Sequence, residues 1–253
     1  MSNKLAVVTG GELGLGRTMA LALARQGWDV AVTYIRDQAP ATDLENQIRA
    51  LGRRAWSQRC DAGVKVDVDR FYTDLYEQFK CPPRLLINNA GVQTWSSLLQ
   101  LQESQWDQVI RTNLKGCFLN TQRAAQMMID AKQPGTIINI GSACNKVPFP
   151  NLVDYTASKG GIEQFTKVSA VELGPYGINV NCIAPGPIET ERTKQEAPDY
   201  AKTWSRVTPM RRVGTPDDVA HAVLFFADEK SDFISGQTLY VDGGAFTVTN
   251  WPY

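Results

Sequence analysis

The chain has 253 residues, 43% of them hydrophobic, with 26 Lys and Arg against 26 Asp and Glu, so it carries no formal net charge at neutral pH. That balance argues against nucleic acid or an anionic membrane as the main partner. No apolar run approaches the ~20 residues that span a bilayer, and the start Met1-Ser2-Asn3-Lys4 leads straight into a strand pattern, so no secretory leader is expected. Five scattered cysteines without a Cys-x-x-Cys pair read as reduced, mostly buried thiols of a cytoplasmic protein. The single histidine, His221, leaves no material for a His-based triad or a multi-histidine metal site, and no metal is expected.

In chain order, short runs rich in Val, Ile and Leu predict strands over 5–9, 30–34, 55–60, 84–88, 136–140, 179–183 and 238–241. Helix-length amphipathic patterns fall between them, over 14–26, 42–51, 66–79, 103–131, 154–173 and 216–227. Apolar runs without alternation suit strands covered on both faces, hence a parallel sheet. Strict βα alternation then predicts a single α/β domain over 1–253, a doubly wound sheet with helices on both faces. The stretch 185–213 is the one long irregular segment, and 187–213 is read as a substrate lid.

The first strand ends in Thr9-Gly10-Gly11-Glu12-Leu13-Gly14-Leu15-Gly16 and opens a helix. Glycines there let backbone approach a pyrophosphate, and the helix N-terminus supplies N–H donors. Asn88-Asn89-Ala90-Gly91 closes the fourth strand, where Asn side chains can tie neighbouring backbone. Asn113 falls inside a helix pattern, where Asn is a poor residue. Either a kink holding a water rewards it or it faces solvent. Ser142 follows the fifth strand and can hydrogen-bond a carbonyl or alcohol oxygen. Tyr155 and Lys159 lie one helical turn apart. An ammonium beside a phenol favours the phenolate, and a tyrosine tuned toward neutrality can exchange a proton with a substrate oxygen.

Taken in order, Thr9-Gly10…Gly14…Gly16, Asn88-Asn89-Ala90-Gly91, Asn113, Ser142, Tyr155…Lys159 and Pro185-Gly186 make the chain resemble the single-domain branch of the short-chain dehydrogenase/reductase family along its whole length. The resemblance implies a seven-stranded parallel Rossmann sheet, a homotetramer, a nicotinamide dinucleotide and a small-molecule substrate. It implies Tyr155 as general acid/base, Lys159 as the residue that tunes it and holds the ribose, Ser142 as the group orienting the substrate oxygen, and Asn113 as support for a relay water. It implies cofactor contacts at Gly10, Glu12, Leu13, Gly14, Leu15, Gly16, Asp61, Ala62, Asn89, Ala90, Gly91, Pro185, Gly186, Ile188 and Thr190.

Cofactor choice turns on the end of the second strand, where an acidic residue would mark NAD. Tyr34 stands there instead. Arg36 can meet a 2′-phosphate, yet Asp37 adjoins it, and Leu13 stands where many NADP-preferring relatives carry a base. The balance leans to NADP, with NAD or dual use open. The loops flanking the site offer Gln93, Trp95, Asn145, Lys146, Asn151, Glu189, Arg192 and Trp204. Amides and indole faces suit a sugar, and Lys146 and Arg192 suit an anionic group on it. The segment 187–193 resembles aldose 1-dehydrogenases, which implies oxidation of a pyranose at the anomeric carbon. A carbonyl reductase of the 3-oxoacyl type shares the same motifs, and a non-catalytic nucleotide-binding protein is the remaining alternative. Met127, Met128 and Trp106 are expected to pack, the last against the sheet. Cys144 is expected to fill space, Arg211 and Arg212 to anchor the end of the lid, and the tail 243–253 to cover a neighbouring subunit.

Overall fold

The computed structural model describes residues 4–247; residues 1–3 and 248–253, including most of the tail expected to cover a neighbour, lie outside the described residues. Seven strands form one parallel sheet in the order β3-β2-β1-β4-β5-β6-β7. They are β1 (Leu5–Val8), β2 (Asp29–Tyr34), β3 (Ala55–Arg59), β4 (Leu85–Asn88), β5 (Gly135–Ile140), β6 (Ile178–Pro185) and β7 (Thr238–Val241). Each was expected within one or two residues, and the sheet is doubly wound as predicted.

The apolar runs are explained by burial on both sides. Ala6 and Val8 of β1 face one core with Met19, Leu23, Val219 and Val223. Leu5 and Val7 face the other with Phe71, Leu75, Ala124 and Met128. The first core is covered by α1 (Gly14–Arg25) and α9 (Pro216–Ala227), the second by α3 (Lys65–Phe79) and α5 (Gly116–Asp130). Helix α2 (Ala39–Ala50) closes the β2–β3 end, and α6 (Val153–Leu173) packs along β6. Helix α9 starts on a capping box in which Thr215 and Asp218 exchange hydrogen bonds, with Pro216 at its first position.

Three expectations need correction. The helix predicted over 103–131 is broken into α4 (Glu103–Val109), a π-helical turn over Ile110–Lys115, and α5. Asn113 sits in that turn, fully buried, so the solvent-facing alternative is wrong and the helix is irregular at this residue. Trp106 is 37% exposed and belongs to neither core on the sheet, so it does not pack there as expected. The lid is not irregular throughout: it contains α7 (Glu191–Glu196) and α8 (Tyr200–Val207). Thr190 caps α7 through the Thr193 N–H, a signal too short to read in sequence. Met128 is fully buried and Met127 partly so, as expected. Arg212 grips the Asp218 carboxylate with both terminal nitrogens at 2.7 and 2.9 Å, and Arg211 donates to the Arg206 carbonyl at 3.0 Å, anchoring the lid's end.

Candidate active site

In this strand order the chain reverses direction between β1 and β4, opening a crevice at their carboxyl ends. The glycine-rich turn lines it. Gly10 adopts φ +59°, a left-handed conformation that favours glycine. Its N–H donates to Thr33 Oγ1 at 3.0 Å. A Cβ on Gly16 would strike the Gly10 carbonyl and stand 2.7 Å from Asn89 Nδ2, so the backbone closes to a distance only glycine permits. Asn89 ties the turn to β4: Nδ2 donates to the carbonyls of Thr9 and Gly10 at 3.0 and 2.8 Å. Thr9 Oγ1 in turn accepts from the Asn89 and Ala90 amides at 3.0 Å each. The tie expected of Asn at this strand end is therefore present, and Thr9 is a partner that went unnoticed. The bare backbone surface left by these glycines fits a dinucleotide's pyrophosphate.

Around that cradle, Leu13 is 60% exposed and Tyr34 is buried at the end of β2. Glu12 has one carboxyl oxygen buried without a partner, and burial raises its pKa. Arg36 is exposed. Asp37 Oδ1 accepts from the Ala39 amide at 3.1 Å, starting α2. Arg17, also on this side, is paired with Asp43. The Asp61 carboxylate accepts from the Gly63 amide at 3.0 Å and from Arg111 at 3.1 Å. Ala62 is buried under Gly116.

The catalytic candidates converge from three elements. Lys159, buried on α6, donates from Nζ to the Ile140 carbonyl at the end of β5 at 2.7 Å. Its Nζ lies 5.4 Å from the centroid of the Tyr155 ring one turn earlier. Asn113 Oδ1 accepts from the Val92 amide at 2.8 Å, and Nδ2 donates to the Val92 carbonyl at 2.9 Å and to Ser158 Oγ at 3.0 Å. Ser158 Oγ donates on to the Tyr155 carbonyl at 2.7 Å. The π turn thus delivers an amide that clamps the loop after β4 to the helix bearing Tyr155. Ser158 escaped sequence reading because a serine inside a helix ordinarily signals nothing. Ser142 Oγ accepts from the Cys144 amide at 3.2 Å, which leaves its own proton free to donate. Cys144 is half-buried, and burial raises its pKa, which disfavours the thiolate form. Pro185 and Ile188 are buried where β6 gives way to the lid, whose base is pinned by the bridge between Ile188 and Gly214.

The predicted substrate residues are less uniform. Asn145 donates to Glu163 on α6. Gln93 donates to Glu196 at 3.5 Å, and Arg192 lies 3.8 Å from the same carboxylate. Lys146 Nζ stands 5.2 Å over the Tyr240 ring. These polar groups are therefore engaged with protein partners, which sequence could not reveal. Trp95 is 55% exposed and meets Phe149 edge-on at 5.9 Å. Among the described residues no group of three or more His, Cys, Asp or Glu could hold a metal, and no helix is long and apolar enough to cross a membrane.

Comparison with known proteins agrees with this geometry. Residues 10–246 match the family model described as enoyl-(acyl carrier protein) reductase. The chain is 35% identical over 244 residues to the 3-oxoacyl-[acyl-carrier-protein] reductase of Staphylococcus epidermidis, covering 96% of this chain and 99% of that one. It is 35% identical over 246 residues to 3beta-hydroxysteroid dehydrogenase 1 of Eggerthella lenta, covering 96% and 94%. The crystal structure of acetoin dehydrogenase from Enterobacter cloacae superimposes with a TM-score of 0.90 at 30% identity, over 99% of this chain and 98% of that one.

Proposed function

The chain belongs to the short-chain dehydrogenase/reductase family and is a nicotinamide-dependent oxidoreductase acting on CH–OH and carbonyl groups, and from that premise we propose how its residues divide the work. The observation that carries the reading is Lys159 held by the Ile140 carbonyl under Tyr155, with Asn113 bracing the same helix through Ser158. Tyr155 exchanges a proton with the substrate oxygen, Ser142 donates a hydrogen bond to that oxygen, and Lys159 fixes a positive charge beneath the phenol. A nicotinamide bound at this crevice would supply or accept the hydride. The glycine turn, Asn89, Ala90 and Gly91, with Asp61 and Ala62 on the adenine side and Pro185, Gly186, Ile188 and Thr190 on the nicotinamide side, would hold it.

We infer a preference for NADP, with NAD tolerated. Asp37 is occupied in starting α2, and among the described residues Arg36 forms no ion pair, so its guanidinium is free for a 2′-phosphate. For the substrate, we infer a small polyoxygenated compound, an aldose oxidised to its lactone. Its support is Trp95, whose exposed indole suits the apolar face of a pyranose. The engagement of Arg192 and Lys146 with protein partners removes the reason for requiring an anionic sugar. A 3-oxoacyl reductase is the second reading, favoured by the 35% identity to such an enzyme. A homotetramer is part of the same proposal: Phe118 on α5 and Val168 and Val171 on α6 leave apolar side chains in solvent. Initial rates with NAD and NADP against neutral aldoses, acidic aldoses and 3-oxoesters test the reading. Turnover of none of them by wild-type protein, or turnover undiminished in Tyr155→Phe, overturns it.

A further inference from the structure

Ser142 lies where the chain leaves the sheet. Upstream of it the backbone is fixed, since the Gly141 amide donates to the Ile183 carbonyl of β6 at 2.7 Å and the Ile140 carbonyl holds Lys159. Downstream, Ala143–Asn145 forms one 3₁₀ turn that closes on the serine itself. The Asn145 amide donates to the Ser142 carbonyl at 3.0 Å, and the Cys144 amide donates to Ser142 Oγ at 3.2 Å. Turn and serine therefore move as a unit. Tyr155 stands on a different element, α6, so the spacing of the two hydroxyls is set by whatever ties the turn to that helix.

Among the described residues one hydrogen bond joins this turn to α6: Asn145 Nδ2 donates to Glu163 Oε2. Glu163 lies one helical turn beyond Lys159, and its side chain is 19% exposed. Its other oxygen is also taken, Oε1 accepting from Lys167 Nζ at 3.0 Å, so the carboxylate is held from both sides. An ionised carboxylate only accepts, which fixes the Asn145 amide with its nitrogen toward Glu163. Asn145 Oδ1 is thereby left buried with no partner, an unfavourable arrangement that native folds rarely retain. The outer flank of the turn is looser, for Lys146 is exposed and stands 5.2 Å over the Tyr240 ring.

We propose that Asn145 and Glu163 are positioning residues: they act through Ser142, holding its Oγ where it and the Tyr155 hydroxyl reach one substrate oxygen together. This rests on the hydride-transfer reading above. Neither side chain touches the substrate; the pair works by keeping the turn from swinging away from α6. A misplacement of about 1 Å at such a group costs up to about 10²-fold in rate. The loss falls on kcat, because the Ser142 hydrogen bond strengthens as negative charge develops on the oxygen in the transition state.

The test measures kcat and KM with whichever of D-glucose, D-glucuronate and ethyl acetoacetate the wild-type enzyme turns over, and NADPH affinity by fluorescence titration. Glu163→Ala and Asn145→Ala each lower kcat about tenfold with KM and NADPH affinity unchanged, and the double variant is no slower than either. Glu163→Gln keeps an acceptor for the Asn145 amide and recovers most of the rate. The deciding comparison is made in Ser142→Ala: adding Glu163→Ala there lowers kcat no further, since the group it places is already gone. Asn145→Ala gives the same comparison from the turn side, so the test does not depend on Glu163→Ala folding. Wild-type kcat in both single variants, or the same fold drop when they are added to Ser142→Ala, overturns this proposal alone. Absence of any Tyr155-dependent turnover overturns it together with the hydride reading.

Discussion

Replacing Asn113 by Ala tests whether the π turn exists to deliver that amide. The side chain is fully buried and makes three hydrogen bonds, at 2.8 and 2.9 Å to the Val92 backbone and 3.0 Å to Ser158 Oγ. Alanine strands the Val92 N–H and carbonyl, whereas Ser158 keeps its bond to the Tyr155 carbonyl. Each stranded backbone group costs about 1–3 kcal/mol, so the sum is about 2–4 kcal/mol once some water entry is allowed. A domain of this size loses roughly 2–4 °C of Tm per kcal/mol, which places the expected drop near ~10 °C. Scanning calorimetry reads the drop. Turnover should fall as well, because the Val92 loop and the Tyr155 helix lose their clamp. A variant melting within about 2 °C of wild type, with activity intact, would refute the reasoning and return Asn113 to an incidental place in the turn.

Tyr155→Phe and Lys159→Met each lower kcat by about 10²–10⁴, the range for loss of a positioned proton donor; steady-state kinetics at fixed pH reads this, and a smaller effect in the lysine variant would show that the Ile140 contact serves structure alone. Gly16→Ala abolishes nucleotide binding in fluorescence titration, because its Cβ would meet the Gly10 carbonyl and Asn89; unchanged affinity would mean the turn does not form the cradle. Alkaline stability follows from the buried thiols. Burial raises Cys117 to about 12 and Cys182 to about 11. Their folded pKa values lie above the unfolded value near ~8.5, so their contribution is complete below that pH and is lost as pH climbs toward 11–12. The expected slope is about 1.4 kcal/mol per pH unit for each thiol. Urea unfolding between pH 8 and 10.5 should follow it, and Cys117→Ala/Cys182→Ala should flatten the curve. Arg36→Ala should cut the NADP preference over NAD about tenfold, the scale of one charge-assisted hydrogen bond; an unchanged ratio would place the 2′-phosphate elsewhere.

What the sequence alone determined is what local chemistry encodes. Strand and helix identities follow from apolar periodicity, because β1, β4, β5 and β6 are buried on both faces and cannot alternate. The glycine turn, the Tyr155–Lys159 spacing and the Asn88–Gly91 strand end are each readable because backbone geometry or one helical turn constrains a few neighbouring residues. Tertiary structure decided what depends on distant partners. Asn113 looked misplaced in a helix until Val92 and Ser158 came within reach. Arg192, Gln93 and Asn145 looked available to a substrate until Glu196 and Glu163 claimed them. Phe149, Trp204 and Phe246 carry no pattern in the chain, since ring contacts between residues some forty to fifty-five positions apart leave no periodic trace. Hydrogen bonds and ring contacts are short-ranged in space and indifferent to separation in sequence, so the fold and its chemistry were legible while the shape of the substrate pocket was not.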